Sequence, residues 1–389
     1  MVTDSLKASA SGEIDAQGAR LLELSHRIHE NPELCFEEQR AAAWLASYLE
    51  TLGVAVEKPA FGLDTAFVAE IGTGRPRVAL LCEYDALPDI GHACGHNLIA
   101  AAGVGAAAGL ARVCDQLDGS IRVLGTPAEE GGGGKAIMGR NGAFADVDVA
   151  MMIHPSGVEM LGIDALAITA LEVEFRGQAA HAAAAPHRGV NALDAMVTAY
   201  GAIAQLRQHI PAGQRVHGII TDGGQAANVV PERAAGLFFV RAANRGDLAV
   251  LEKRVRECFR AGSVATGATV SVTKKGEDYD ELVSNEPLAA LYAANLRRLG
   301  REVTPAGQVT GSTDMGNVSQ IVPSIHPMLQ IAPADVPLHT REFCRWAASE
   351  RGDRGVIDGA KLLAMTAIDY LSDEAVRGAV KIAFDAEHG

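Results

Sequence analysis

The sequence has no run of apolar residues that could cross a bilayer as a helix, which takes about 20 residues, although hydrophobic residues make up 48% of it. This argues against a membrane-embedded enzyme. The first residues, Met1 to Asp15, are polar and include an acidic residue at Asp4, so they do not have the pattern of a secretory signal peptide. We therefore expect a cytoplasmic protein with no membrane partner.

Basic residues, aromatic residues and cysteines are all scarce. There are 34 Lys and Arg side chains against 48 Asp and Glu, which gives a formal net charge of −14. Such a surface repels phosphate backbones, so nucleic acid is not an expected partner. Aromatic residues account for 5% of the chain and give no sign of a large stacking pocket. The six cysteines have no paired spacing, and in a reducing cytosol most should be buried free thiols.

The length of 389 residues exceeds the usual size of a single core, so two domains are expected. Strand and helix patterns alternate in the first part, which predicts a layered α/β/α domain. From about Leu166 the predicted order becomes β-α-β-β-α-β, that of a ferredoxin-like unit. We therefore predict a discontinuous domain, residues 1–165 and 279–389, with a ferredoxin-like insertion at residues 166–278.

The predicted helices and strands of the first domain show which polar residues directly follow a strand. Residues 14–52 read as two helices joined by a loop, and the apolar run 77–81 reads as a strand buried on both faces. Residues 98–113 are rich in Ala and Gly, which predicts a helix that packs closely on a sheet. Two further strands are predicted at residues 120–125 and 149–153.

The densest group of reactive side chains is the Gly91–Asn97 segment, which contains Cys94 and His96. It lies between a predicted strand and a predicted helix, where α/β proteins place ligand sites. Thiolate and imidazole are strong ligands for zinc and related metals, and two such groups two residues apart can face one ion. A Cys-x-His pair also occurs by chance, so the metal interpretation depends on finding further ligands.

A second group is the adjacent pair Glu129-Glu130, which follows a predicted strand and precedes four glycines. Neighbouring side chains diverge, so one carboxylate can bind a metal while the other holds a water molecule. The glycines permit unusual backbone angles and close approach of a ligand. A solvated acidic turn is the alternative, but the position after a buried strand favours a site. A phosphate-binding loop ending at Lys135 is rejected, because Ala136 stands where that loop needs Ser or Thr.

Histidines later in the chain could complete a metal site. His154 is predicted to end the apolar strand 149–153, in line with the two other strand ends that carry polar groups. His326 and His339 are the remaining candidates, and either could close the site. His339 lies just before a predicted helix through Phe343.

Four segments occur in order along most of the chain: Glu83–Pro88, Gly91–Asn97, Pro127–Gly134 and Gly311–Asn317. Together they resemble the aminoacylase and carboxypeptidase family of metallo-amidohydrolases. The similarity is greatest to the branch that holds p-aminobenzoyl-glutamate hydrolase, indoleacetyl-amino-acid hydrolases and a β-alanyl-lysine-type dipeptidase. This resemblance implies a metallohydrolase fold with an inserted lid.

The resemblance also implies a site for one or two divalent metal ions, with zinc expected first and manganese or cobalt as alternatives. The family pattern assigns the ligands to Cys94, His96, Glu130, His154 and His339. It assigns the general base to Glu129. Asp85 would either orient a ligand or be an ordinary turn residue.

The inserted domain would correspond to the family's lid, through which relatives form a homodimer. His181 matches a lid histidine that in relatives reaches the active site of the partner subunit. Asn228 and Arg241 match lid positions that contact substrate, and arginine suits a carboxylate. Ser312 and Thr313 match further substrate-binding positions.

The implied function is metal-dependent hydrolysis of an amide bond in an N-acyl amino acid or a related small amide that carries a carboxylate. Metals at such sites lower the pKa of water from about 15.7 to about 7. Glu129 would accept the proton of the attacking water and pass it to the leaving amine, and His181 would help to stabilise the oxyanion.

Three other functions stay open. The first is a dipeptidase or exopeptidase acting on short peptides such as β-alanyl dipeptides. The second is an inactive binding protein of the same fold, and the third is a thiol hydrolase with Cys94 as nucleophile and His96 as base. Glu83 and Asn97 stand where many relatives have aspartate, and Leu81 where many have a basic residue. These departures fit the dipeptidase-like branch, and they leave open whether a second metal ion binds.

Overall fold

In the computed structural model, which describes residues 2–304 and 310–388, a six-stranded sheet organises the part of the chain that carries the predicted metal ligands. Its strands in spatial order are Val56–Glu57, Phe67–Gly72, Ser120–Gly125, Arg77–Cys82, Val149–Met151 and Ser324–Ile325. The Arg77–Cys82 strand, here called the central strand, runs parallel to both of its neighbours. The carboxyl ends of these three strands therefore meet at one edge of the sheet.

This sheet belongs to the first of two compact units, which comprises the residues up to Asp164 and those from Leu282 on. Its α-helices are Val2–Ala16, Gly18–His29, Gln39–Thr51, His96–Ala111, Gly134–Arg140, Glu286–Arg298, Met315–Ser319, Arg341–Trp346, Glu350–Ser372 and Glu374–His388. The His96–Ala111 helix packs on the central strand. A Cβ atom at Gly103 would lie 2.4 Å from Cys82 Sγ, so only a residue without a side chain permits this close approach.

The second unit, Ala165–Glu281, interrupts the first in sequence. Its four antiparallel strands lie in the order Thr269–Lys274, Ala167–Arg176, Arg233–Ala242 and Arg215–Asp222. Two helices, Ala192–Leu206 and Arg245–Thr266, pack on this sheet. The order along the chain is β-α-β-β-α-β, which confirms the predicted fold class of an α/β domain with a ferredoxin-like insertion.

The structure differs from the sequence prediction at the N-terminus and at His154. The polar first residues form a helix, whose buried side chains Leu6, Ala10 and Ile14 are spaced four apart on one face. His154 does not end the strand before it but begins a separate strand, His154–Ser156, which pairs in parallel with Met328–Gln330. The next residue, Pro155, has no N–H for the ladder of a central sheet, so the chain leaves the six-stranded sheet here.

Among the residues that the structure describes, no helix is both long and apolar enough to span a membrane. The six cysteines, all within the described ranges, are free thiols.

Candidate active site

The predicted metal ligands lie on the segments that follow the parallel strands of the first unit. Cys94 and His96 come after the central strand, and His96 is the first residue of the helix that packs on it. Glu129 and Glu130 come after the neighbouring Ser120–Gly125 strand. The meeting of strand ends at one edge of the sheet explains why residues far apart in sequence converge.

The side chains of the predicted ligands approach one another closely. Cys94 Sγ lies 3.4 Å from His154 Nε2 and 3.4 Å from His339 Nε2. His339 Nε2 lies 3.5 Å from a Glu130 oxygen, and His96 Nε2 lies 3.9 Å from the nearest oxygen of Glu130. The structure thus brings all five residues into one cluster.

The donor atoms of this cluster fit a divalent metal. Three groups of residues have donor atoms within 4.8 Å of one another: Cys94, His96 and His154; Cys94, Glu130 and His339; and His96, Glu129 and Glu130. His96 Nε2 and one oxygen of Glu130 are buried without a hydrogen-bond partner. Buried polar atoms are rarely left unpaired, and a bound cation would satisfy both.

Hydrogen bonds orient the two buried imidazoles. His96 Nδ1 donates to Asp85 across 3.1 Å, and His154 Nδ1 donates to the carbonyl of Pro155 across 2.8 Å. Each bond leaves Nε2 as the lone-pair atom that faces the cluster. Asp85 also accepts a hydrogen bond from the backbone N–H of Glu130 at 2.9 Å, so one carboxylate orients two predicted ligands.

The backbone takes unusual conformations where it carries these groups. Ala128, directly before the glutamate pair, has φ +62°, and His339 has φ +60°. Residues other than glycine rarely adopt such angles, which cost about 1–3 kcal/mol each and cluster at functional sites. The His339 N–H donates to the carbonyl of Ala93 at 3.0 Å, which ties this loop to the Cys94 segment.

Burial sets the charge state of the cluster. Burial, with Glu83 and Glu130 nearby, raises the pKa of Glu129 well above its usual value, which suits a group that must accept and then release a proton. Burial and Glu130 also raise the pKa of the Cys94 thiol. A cysteine nucleophile needs the opposite shift, so this environment argues against the thiol hydrolase.

Lys135 is a site residue that sequence reasoning missed. Its side chain is fully buried, and Nζ lies 2.5 Å from Glu83 and 2.6 Å from Asp314. Burial disfavours the ammonium, but Asp314 and Glu83 raise its pKa above the usual value and keep it charged. The second oxygen of Glu83 lies 3.4 Å from His96 Nε2. Lys135 thus neutralises carboxylates immediately beside the predicted metal cluster.

Other residues singled out in the sequence have local partners. Thr313 Oγ1 accepts from the N–H of Met315, while the Ser312 hydroxyl is buried without a hydrogen-bond partner. Asn97 donates to Ser25 and to the Ala347 carbonyl, so it tethers the helix instead of facing the cluster.

The structure also distinguishes the two histidines, His326 and His339, that could have completed the cluster. His326 packs beside His154 at 5.2 Å between ring centroids, but within the described residues it joins none of the three groups of donor atoms. His339 joins the cluster.

His181, Asn228 and Arg241 belong to the second unit. His181 Nδ1 accepts from the N–H groups of Ala183 and Ala184, and the carbonyl of Asn228 accepts from Ala182 N–H. The first two residues therefore lie on neighbouring segments. Arg241 is half-buried, and its Nε has no hydrogen-bond partner.

The sequence profile of Peptidase family M20/M25/M40 matches residues 79–352, well over half of the chain. The chain belongs to the M20 family. It is 41% identical to the Xaa-Arg dipeptidase of Mus musculus, covering 97% of this chain and 92% of that protein. It is 30% identical to one of the subunits of the p-aminobenzoyl-glutamate hydrolase of Escherichia coli (strain K12), covering 93% of this chain and 91% of that protein.

A solved structure of the M20 family supports the fold. The Bacillus subtilis YXEP protein, described as a dinuclear metal binding peptidase, matches with a TM-score of 0.70 and 20% identity over 92% of this chain and 99% of that one. Because M20 peptidases are metal-dependent, the chain is a metal-dependent hydrolase of amide bonds. The predicted family, branch and enzyme class are confirmed.

Replacing Lys135 by Met should lower the free energy of unfolding by about 3–5 kcal/mol, because it leaves Glu83 and Asp314 buried without their counter-charge. Denaturant unfolding of the purified protein measures this loss. Lys381→Met is the matched control, since it breaks only the exposed pair with Asp385 and should cost about 0.5 kcal/mol or less. Equal losses in both variants would contradict the role given to Lys135.

Proposed function

We propose that this M20 hydrolase cleaves the amide bond of a dipeptide or an N-acyl amino acid that carries a free carboxylate. The observation that supports this most directly is the cluster of Cys94, His96, Glu130, His154 and His339 beside the buried carboxylate of Glu129. Similarity to Xaa-Arg dipeptidase over nearly the whole chain favours a dipeptide, and among dipeptides one with a basic carboxyl-terminal residue.

The proposed metal site would hold one or two ions on the side chains of Cys94, His96, Glu130, His154 and His339. The donor atoms form three overlapping groups, which leaves room for two ions, and the YXEP relative is described as dinuclear. One thiolate, three imidazoles and one carboxylate form a donor set rich in sulfur and nitrogen, which favours zinc over manganese. Bound metal would supply Lewis acidity at the scissile carbonyl and a lowered pKa for water.

The remaining chemistry would be carried out by side chains of this protein. Glu129 would take the proton from the attacking water and deliver it to the leaving nitrogen. Its burial supports this, because burial raises the pKa of the carboxyl and so makes the carboxylate a stronger base. Asp85 would hold His96 and the Glu130 backbone in place during the reaction.

Substrate recognition is assigned to the residues that match substrate-binding positions of the family. Arg241 offers a desolvated guanidinium with a free Nε–H, which suits the carboxylate of the substrate. Asn228 and Ser312 would supply hydrogen-bond donors, as would Thr313. His181 would help to stabilise the oxyanion, from the partner subunit of a homodimer.

A panel of dipeptides and N-acyl amino acids, each with a free and an amidated carboxyl group, tests the proposed activity. We expect turnover of the free acids and little of the amides. Glu129→Gln should lower kcat by about 100- to 10,000-fold, as loss of a general base does, with unchanged metal content. Glu50→Gln, at an exposed helix position, should behave as wild type. Full activity of Glu129→Gln would remove Glu129 from the mechanism.

Metal analysis of the purified chain tests the proposed site. We expect close to two ions per chain, loss of activity on chelation, and recovery with zinc. His339→Ala removes a donor of one group and should retain about one ion, whereas Cys94→Ala removes a donor of two groups and should lose more metal. His187→Ala, at an exposed position outside the cluster, should keep the full content. Activity that survives chelation would overturn the proposal.

Dimerisation through the second unit is supported by its exposed apolar surface. Ile219 and Ile220 on the edge strand are 61% and 40% exposed, and Val197 is 55% exposed. Exposed apolar edge strands favour pairing with another chain. Sedimentation should give the mass of a dimer for the wild type and of a monomer for Ile220→Lys. Val264→Lys, on a helix of the same unit, should stay dimeric. A wild-type monomer would rule out this interface.

A further inference from the structure

One buried carboxylate links three separate segments behind the glutamate pair. Glu38 is fully buried, and its Oε1 accepts hydrogen bonds from the N–H groups of Phe36 and Ala128, both at 2.9 Å. Its Oε2 accepts from the Thr65 hydroxyl at 2.9 Å. Both oxygens are therefore engaged, and one bond reaches the residue directly before Glu129.

The two N–H groups that Glu38 holds belong to strained residues. Phe36 has φ +66° and Ala128 has φ +62°, a region that residues with side chains rarely adopt. Such conformations persist where the surrounding structure enforces them. A single oxygen of Glu38 fixes the amide of each, so it stabilises the bend that aims Glu129 and Glu130 into the cluster.

Glu38 does not serve the helix that follows it. It stands at the N-cap of the Gln39–Thr51 helix, but its side chain makes no capping hydrogen bond. The carboxylate of Glu33 fills that role by accepting from the N–H groups of Arg40 and Ala41 at 2.9 to 3.1 Å. The buried carboxylate of Glu38 can therefore accept hydrogen bonds from the loop that carries Glu129 and Glu130.

Two neighbouring contacts hold the segments on either side of Glu38. The ring of Phe36 covers Gly132, where a Cβ would lie 2.5 Å from the ring. The carbonyl of Thr65 accepts from the Tyr84 hydroxyl at 2.6 Å, and Tyr84 directly precedes Asp85. The hydrogen bond that Glu38 accepts from Ala128 links it to the segment of the general base. The one that it accepts from Thr65 links it, through Tyr84, to the segment of Asp85.

We propose that Glu38 is a positioning residue that fixes the Glu129-Glu130 pair by accepting hydrogen bonds from Ala128 and Phe36. It acts through these hydrogen bonds and does not touch the substrate or the metal. The inference rests on the proposed function for its effect on turnover, whereas its effect on the loop is independent of turnover.

The test compares Glu38→Ala, Glu38→Gln and the wild type with the best substrate of the panel. We expect Glu38→Ala to lower kcat by about 100-fold, as small misplacements of catalytic groups do, with little change in KM. Glutamine keeps an acceptor oxygen for both N–H groups, and its NH2 can donate to Thr65. Glu38→Gln should therefore stay within about tenfold of wild type.

Glu33→Ala is the matched control, because it removes a helix cap in the same segment. It should lower the midpoint of denaturant unfolding and leave kcat unchanged. Wild-type kcat in Glu38→Ala would overturn the proposal, and so would a Glu38→Gln variant as slow as Glu38→Ala, since the charge would then be responsible. If Glu38→Ala does not fold, Glu38→Gln decides alone, and a kcat more than about tenfold below that of the wild type would overturn the proposal.

Hydrogen exchange of the metal-free protein measures the protection of the Ala128 amide without the need for a substrate. The peptide that contains the Ala128 amide should exchange slowly in the wild type, in Glu33→Ala and in Glu38→Gln, and faster in Glu38→Ala. Unchanged exchange in Glu38→Ala would overturn the proposal. A wild type that hydrolyses nothing in the panel would count against the proposed function alone, because the exchange result still tests Glu38.

Discussion

Repulsion among buried carboxylates is the constraint on which the rest of this site depends. Glu83, Asp85, Glu129 and Asp314 are almost completely buried, and uncompensated charges in a protein interior are costly. Three of these groups have a specific positive partner. Lys135 forms ion pairs with Glu83 and Asp314, and the His96 imidazole pairs with Asp85. The donor atoms left over are those that face the metal cluster.

The fold supplies this arrangement at little conformational cost because the sheet does most of the positioning. Parallel strands end at one edge, so side chains that follow them converge without long loops. The small residues of the His96–Ala111 helix let it lie directly on the central strand, which fixes the start of the helix and hence His96. Strain is confined to short bends such as Ala128 and His339, where neighbouring hydrogen bonds hold it.

The sequence predicted the fold class and the residues of the cluster, because strand patterns and the motifs at strand ends are local signals. Lys135 and Glu38 were missed for the same reason. Lys135 pairs with Asp314, 179 positions away, and Glu38 bonds to Ala128, 90 positions away. In the local sequence Lys135 is only a lysine after four glycines, and Glu38 is only one of two adjacent glutamates. Neither position shows its distant partner. The residue pattern alone left His326 and His339 equivalent. The family resemblance favoured His339, and it is His339 that the tertiary fold brings to the cluster.

The interruption of the first unit by the second has a consequence for how the protein is made on the ribosome. Four of the five clustered donor residues precede Ala165, but His339 follows Glu281. The edge strand Ser324–Ile325 and the Glu350–Ser372 helix, which packs on the His96–Ala111 helix, also emerge only after the second unit. A nascent chain must therefore hold an unfinished sheet, with part of its apolar helix surface uncovered, while the entire ferredoxin-like unit is synthesised. The unit in between has its own core and can fold during that wait.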